Sequence, residues 1–342
     1  MYMAEFYDIS DWKEELHVTT GGTRKKGVYV NPKSNEKYYF KTSLKKEGKD
    51  YKHEFWSEII ASELGVFLGF KMLKYDIAIN NSDIGCISKS MIEESKEILR
   101  EGISYLTGYK NTYNPECNKK YTFQLIKETL YHYELEDNIV NILELIVLDS
   151  ILGNGDRHQE NWGFIKVYNE GVKYLEKLDE DSKGFLEYFL VFLLRILSKE
   201  KNKTRSFIKD LHLKVPGKFS PIYDSGSCLG RENSDVKIDK MLSDSNMLNA
   251  YINRGKSEIH WNEKKLKHFE LIEKLKVDYK EDINKIIYRV IKKYNKEKLS
   301  SIVNDIDINL PNELKQFLLP ENRKKFIIEV VDKKIDKLKK MI

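Results

Sequence analysis

The chain has 342 residues, 41% apolar and 33% charged, with 6 prolines, 18 glycines and three cysteines. That length suits two domains or one large bilobal one, with a core needing no disulfide or structural metal, and the composition excludes a disordered, collagen-like or linker-dominated chain. A net charge of +5, from 59 basic and 54 acidic residues, is too balanced to demand a nucleic-acid partner.

Of the basic residues 50 are lysine, whereas bidentate phosphate recognition favours arginine. Cys86, Cys117 and Cys228 lie far apart without a CxxC pair, as in a reducing cytosol. The N-terminal MYMAEFYDISDWKEE is polar and acidic, unlike a signal peptide. A cytoplasmic protein is expected, with export as an effector left open. No membrane role is expected either: the longest apolar run, Phe185–Leu197, contains Glu187 and Arg195 and is too short to span a bilayer.

Residues 16–43 read as β-strands. LHVTT and GVYVN flank a turn made of Gly21, Gly22, Thr23, Arg24, Lys25 and Lys26, and KYYFKTS follows a second turn. Residues 51–69 switch to helical period, with Phe55, Ile59, Ile60, Leu64 and Phe67 on one stripe and Gly69 closing it. Residues 71–92 return to short β-like runs. Residues 138–152 are apolar almost all round, so they predict a buried helix ended by Gly153. WGFIKV and VKYLEKL read as a hairpin, a helix is expected near 180–199, and 263–342 reads as lysine-rich amphipathic helices. That last stretch carries an excess of seven positive charges, which a solvated lysine face explains as well as a nucleic-acid contact does.

Three groups of residues carry chemistry. The first is the loop Asp156-Arg157-His158-Gln159-Glu160-Asn161, pinned after the buried helix. An Asp can orient a substrate hydroxyl and accept its proton, and an Asn offers a neutral oxygen to Mg²⁺. The same loop is equally an ordinary capped turn. The second is Asp224, which closes the apolar run Pro221-Ile222-Tyr223 and is followed by Ser225 and Gly226, as a metal-binding carboxylate is presented at a strand end. The third is the strand lysine Lys41, able to reach phosphates or to be solvated, with Glu54 and, one turn later, Glu58 as orienting partners. Upstream, the Gly21-Gly22 turn can cradle phosphates through backbone N–H groups. Their order along the chain is that of the parts of a protein-kinase-like phosphotransferase.

GNGDRHQENWGFI followed by SPIYDSGSCLG resembles the catalytic and metal loops of HipA-like serine/threonine kinases, the bacterial persistence-toxin family. HEFWSEIIASELG and GCISKSMI resemble the helix after that family's strand lysine and the segment entering its hinge. The resemblance covers roughly residues 16–240 and implies an α+β, bilobal protein-kinase-like fold. The small β-rich N-lobe would be residues 1–92. The large, mostly α-helical C-lobe would be residues 93–342.

It implies ATP- and Mg²⁺-dependent phosphorylation of serine or threonine in a protein substrate, with autophosphorylation. Asp156 matches the catalytic base, and Asn161 and Asp224 match the Mg²⁺ ligands. Lys41 matches the ATP-phosphate lysine, with Glu54 the better match for its ion-pair partner and Glu58 the second choice. Gly21, Gly22, Thr23 and Lys26 match the phosphate loop, and Ser90 falls in the stretch expected near the adenine. The spacing from Asp156 to Asp224 implies an insertion near 172–212. Only about 18 residues precede the Gly-rich turn, as in a short form lacking the family's N-terminal module and served by a separate small antitoxin or regulatory protein. The family's loop serine has no clear match, and Thr19, Thr20 or Thr23 would stand in.

The sequence argues against a zinc hydrolase, since His53-Glu54 is followed by Ser57 where HExxH needs histidine, and against Ser/His/Asp catalysis, since no GxSxG elbow is present. The rival readings are a phosphoinositide or small-molecule kinase, whose catalytic loop DRHxxN also resembles, and a catalytically inactive kinase fold acting as a binding module.

Overall fold

The computed structural model describes residues 3–15, 26–47, 49–93, 95–167, 213 and 217–342. The expected strand over 16–20, the turn residues Gly21, Gly22 and Thr23, and the insertion at 172–212 lie outside the described residues. The chain forms two compact units, each assembled from separate stretches of sequence. One comprises Met1–Met91, Val140–Arg157 and Pro221–Ile342; the other comprises Ile92–Ile139 and His158–Ser220. The partition at residue 92 into an N-lobe and a C-lobe remains a proposal.

In the first unit, β1 (Phe6–Asp8), β2 (Lys13–Glu14), β3 (Lys26–Val30), β4 (Lys37–Thr42), β7 (Asp76–Asn80) and β8 (Asp83–Lys89) form a six-stranded sheet in the order β1-β7-β8-β4-β3-β2. Strands β5 (Lys45–Lys46) and β6 (Lys49–Asp50) pair separately. Within the described strands of this sheet only the β1–β7 pairing is parallel. One sheet face buries Tyr29, Phe40, Ala78 and Ile87 beneath Ile9. Side chains alternate along a strand, so Lys41 projects from the opposite face. Its register partner is Cys86, with Thr42 opposite Gly85. A Cβ at residue 85 would lie 2.2 Å from the Lys41 carbonyl oxygen, so only glycine lets the two strands close here.

Helix α1 (Glu54–Leu68) ends where Gly69 takes a left-handed φ of 91° and donates its N–H back to the last turn. The predicted stripe is buried at Phe55, Ile59, Ile60 and Leu64, whereas Phe67 is half-exposed and Leu68 takes its place inside. The polar residues Glu54, Ser57, Glu58, Ser62 and Glu63 are buried too. This helix therefore has a polar face turned inward, which a stripe reading does not reveal.

Helix α4 (Ile139–Leu152) is the apolar helix expected before the DRH loop; Ile142, Leu145, Leu148 and Ile151 are fully or almost fully enclosed. After the Pro221–Cys228 loop come α5 (Asp235–Ser243), α6 (Ser245–Arg254), α7 (His268–Lys293), α8 (Lys296–Asn304) and α9 (Glu321–Lys339). Ile238 and Met241 of α5, Leu248 and Ile252 of α6, and Phe326 and Val330 of α9 share one apolar cluster. Most lysines of this region ride on helices whose opposite faces are apolar, the amphipathic arrangement expected, whereas Lys324 and Lys334 are buried.

In the second unit, α2 (Gly102–Tyr109) and α3 (Phe123–His132) accompany a three-stranded antiparallel sheet of β9 (Glu97–Glu101), β10 (Gly163–Val167) and β11 (Lys218–Phe219). The neighbours of GFIKV are thus 97–101 and 218–219. The hairpin partner read for it, VKYLEKL, lies outside the described residues. Trp162 stacks on Phe219 with planes 8° apart and donates from Nε1 to the Tyr121 hydroxyl at 2.8 Å. The whole is the α+β class expected, strands toward the N-terminus and helices toward the C-terminus. Among the described residues no helix is long and apolar enough to cross a membrane.

Candidate active site

Lys41 leaves β4 with only 13% of its side chain exposed, so it is not a solvated strand lysine. Its Nζ lies 2.8 Å from Asp224 Oδ1 and 3.0 Å from Glu58 Oε2, and 5.3 Å from the centre of the Tyr75 ring. Burial works against the ammonium, but the Asp224 and Glu58 carboxylates outweigh it and hold Lys41 well above its ordinary pKa, hence charged. Tyr75, buried beside the same carboxylates, is pushed up and stays a neutral phenol.

The ion-pair partner of Lys41 is therefore Glu58, correcting the preference for Glu54. Both acids face inward from α1. Glu54, however, pairs with Arg231 and accepts the Leu44 N–H at 2.8 Å, while Arg231 lies 4.6 Å over the Tyr51 ring. Arg231 comes from far along the chain, and its guanidinium claims the acid nearest the start of the helix.

The loop after Pro221 is fixed from several sides. Asp224 has a φ of 52°, a left-handed backbone that costs a non-glycine residue about 1 kcal/mol and that Asp tolerates better than most. Its N–H donates to the Tyr75 hydroxyl at 3.3 Å, and the next N–H, of Ser225, donates to Glu58 Oε1 at 3.0 Å. Glu58 thus holds both Lys41 and the loop that carries Asp224.

Arg157 completes the clamp. It is fully buried. Nε and Nη2 donate to the two oxygens of Asp149 on α4 at 3.1 and 2.9 Å. Nη1 donates to the Tyr223 carbonyl at 2.5 Å, and Nη2 also reaches Ser225 Oγ at 2.8 Å. Burial opposes its charge; Asp149 more than offsets that, so the guanidinium stays charged. Asn154 donates to the same Asp149 at 2.9 Å and accepts the Asp156 N–H at 3.2 Å. One buried ion pair therefore spaces the end of α4, the DRH loop and the residues on both sides of Asp224.

Asp156 is exposed, and its Oδ2 accepts the Ser227 hydroxyl at 2.8 Å. Thus Lys41, Glu58, Asp224 and Asp156 are drawn into one connected network. Lys26 lies directly across from Lys41 in the β3–β4 register. Ser90 follows β8 and donates its N–H to the Lys37 carbonyl at 2.8 Å. Asn161 is buried in the second unit, where its N–H donates to the His158 carbonyl at 3.0 Å. Gly21, Gly22 and Thr23 fall outside the described residues. Sequence reasoning gave no role to Arg157, Asp149, Tyr75, Arg231 or Ser227. The clearest signal among them was Asp149, a lone acid in the run ELIVLDSIL, since a carboxylate inside an apolar helix needs a cation to meet it.

The arrangement also suits a hard divalent cation. Two carboxylates, Glu58 and Asp224, share the one Lys41 ammonium, and Asp224 retains 27% of its side-chain exposure. An accessible anionic oxygen of this kind is what Mg²⁺ takes alongside substrate phosphates.

No protein-family model matches the chain. The serine/threonine-protein kinase CtkA of Helicobacter pylori is 24% identical over 188 residues, which is 54% of this chain and 43% of that protein. The match spans less than half the length of that curated relative. The solved structure of the Helicobacter pylori proinflammatory kinase CtkA aligns over 98% of both chains with a TM-score of 0.69 at 19% identity, and shows the shared fold. HipA from a Shewanella oneidensis MR-1 toxin–antitoxin complex with HipB and operator DNA aligns over 98% of this chain and 67% of its own, at 11% identity and a TM-score of 0.46.

Proposed function

We infer that this chain, which has the fold of the kinase CtkA and resembles HipA-like serine/threonine kinases, transfers the γ-phosphoryl group of ATP to serine or threonine hydroxyls of a protein, with Mg²⁺. The observation that carries this reading is the Lys41–Glu58–Asp224 cluster linked to Asp156 through Ser227. Phosphoryl transfer asks little covalent chemistry of a protein; it asks for positioned charge and an oriented hydroxyl.

Lys41, fixed by Glu58, would bind phosphate oxygens, and Lys26 across the register lies on the adjoining strand. Asp224 would hold Mg²⁺, and Asn161, five residues after Asp156, is the second ligand proposed from the resemblance. The bound cation would neutralise charge on the phosphates. Asp156 would orient the acceptor hydroxyl and take its proton at a carboxylate oxygen. Ser90 is proposed to lie by the adenine, and Gly21, Gly22 and Thr23 to follow the phosphates. Glu54 is more distant in this account, bracing α1 through Arg231. The acceptor is a protein; an antitoxin-like partner and a cytoplasmic location are further proposals from the resemblance.

Calorimetric titration tests the site. ATP with Mg²⁺ should bind the parent protein, and Asp224→Ala should weaken that binding while leaving metal-free nucleotide binding nearly unchanged. Identical Mg²⁺-ATP affinities would place the metal elsewhere.

A further inference from the structure

We propose that Lys334 is a positioning residue for Asp156, holding the loop that carries it from behind, through Gly153. The proposal deepens the kinase reading above and rests on it wherever activity is the readout. Gly153 follows the last residue of α4 with a left-handed φ of 75°. A Cβ at this position would collide with Lys334 Nζ, so the glycine makes room for the ammonium as well as for the turn. Lys334 arrives from α9, far along the chain, and is 3% exposed.

The last carbonyls of a helix carry partial negative charge, so a cation beside them is stabilising. At the end of α4 the Asp149 carbonyl accepts the Gly153 and Asn154 N–H groups at 2.7 and 3.0 Å. The Leu152 carbonyl accepts the Leu229 N–H at 3.1 Å, which ties the end of α4 to the chain beyond Asp224. From Gly153 the backbone runs into Asn154, whose side chain accepts the Asp156 N–H at 3.2 Å. At residue 155 a Cβ would come within 3.3 Å of the Lys256 carbonyl, so this glycine too lies close against backbone. Lys334 therefore bears on the first residue of the short turn that ends in Asp156, and Arg157 secures the residue after it.

The groups around Lys334 do little to balance its charge. Cys228 is buried and its thiol is pushed up, so it is neutral, as is the Tyr251 phenol of α6. His268 of α7 is neutral at pH 7, and Lys337 of α9 opposes the ammonium. The α4 carboxylate, Asp149, is committed to Arg157. Glu232 favours the charge but is itself exposed. Burial dominates and lowers Lys334 to about 8 from 10.5, so it is charged at pH 7 and sheds its proton as pH rises through 8. An ammonium enclosed in this way costs folding free energy. The placement of Asp156 is what it gives in return.

The test compares the full-length parent with Lys334→Met, which keeps the stem and deletes the charge, and with Lys166→Met. Lys166 is a buried lysine of the second unit whose pKa is also lowered to about 8. Three quantities are read: kcat for transfer from Mg²⁺-ATP to casein between pH 7 and pH 9, Kd for Mg²⁺-ATP, and hydrogen exchange of the 153–157 amides at pH 7. The parent's kcat should fall as pH rises through 8, and Lys166→Met should keep that fall. Lys334→Met should have a kcat lower by roughly tenfold at pH 7 and flat to pH 9, since a small misplacement of a reacting group is costly. Its Kd should match the parent's, its 153–157 amides should exchange faster, and it should melt no lower. A flat parent profile would overturn the proposal even were Lys334→Met not to fold, as would loss of the fall in Lys166→Met. So would a Lys334→Met protein with parental kcat and exchange. A parent that binds ATP but transfers no phosphate would overturn the kinase reading, and exchange at 153–157 then decides the positioning.

Discussion

Arg157→Met removes the guanidinium that spaces the two loops. It donates to both Asp149 oxygens, the Tyr223 carbonyl and Ser225 Oγ, and neither Arg157 nor Asp149 is appreciably exposed. Breaking a buried pair by deleting one partner costs about 3–5 kcal/mol, because the remaining charge stays buried. An unsatisfied buried carbonyl adds about 1–3 kcal/mol more. The combined loss of about 5 kcal/mol is comparable with the whole stability of a marginal domain. Urea unfolding should show this directly.

The double variant Asp149→Leu/Arg157→Met separates stability from site geometry. Apolar replacement of a buried pair is often neutral, so most of the stability should return. The ties to Tyr223 and Ser225 would still be missing, so Asp224 would be held only by Lys41, Tyr75 and the Glu58–Ser225 bond and less firmly in its left-handed backbone. Mg²⁺-dependent ATP affinity should therefore stay low in the refolded double variant. An Arg157→Met protein within about 1 kcal/mol of the parent would refute the buried clamp. A double variant with parental Mg²⁺-ATP affinity would refute its role in holding Asp224.

Glu58→Gln should weaken ATP binding and slow transfer markedly, while Glu54→Gln should act mainly on stability through Arg231; paired titrations and urea melts check the distinction. Lys41→Met leaves the buried Glu58 facing an apolar stem, so it should cost about 3 kcal/mol as well as activity, measurable as a lowered unfolding midpoint. His268 is buried, and burial together with Lys334 and Lys265 depresses its pKa to about 3 from 6.5. In that window the unfolded chain binds a proton that the folded chain refuses, so stability is full above pH 6.5 and is lost as pH falls toward 3, by up to about 1.4 kcal/mol per unit. Melting curves between pH 7 and pH 5 should show this slope, and His268→Leu should flatten it.

Much of the site was legible because its signals are local. A strand lysine, a helical stripe and the DRH and DSG loops are each read within a few positions, and together they carried the resemblance that implied the fold. The choice between Glu54 and Glu58 was not local. The two acids stand four apart on one helix face, and what separates them is Arg231, 177 residues from Glu54. Arg157 was visible in the motif, but its task depends on Asp149 and on the carbonyl of Tyr223, 66 residues away. Ser227 drew no reading of its own because its hydrogen-bond partner, Asp156, is 71 positions distant. The strands that pair with GFIKV among the described residues, 97–101 and 218–219, were not read from sequence because they are remote along the chain.

The central claim is Mg²⁺-dependent transfer from ATP to serine or threonine with Asp156 orienting the hydroxyl. Its most direct test is incubation with γ-labelled ATP, Mg²⁺ and protein acceptors, followed by phosphoamino-acid analysis, for the parent and for Asp156→Asn. The parent should place label on serine or threonine, and Asp156→Asn should still bind nucleotide while losing transfer by on the order of a hundredfold or more. Label confined to lipid or small-molecule acceptors, or undiminished transfer by Asp156→Asn, would contradict the account.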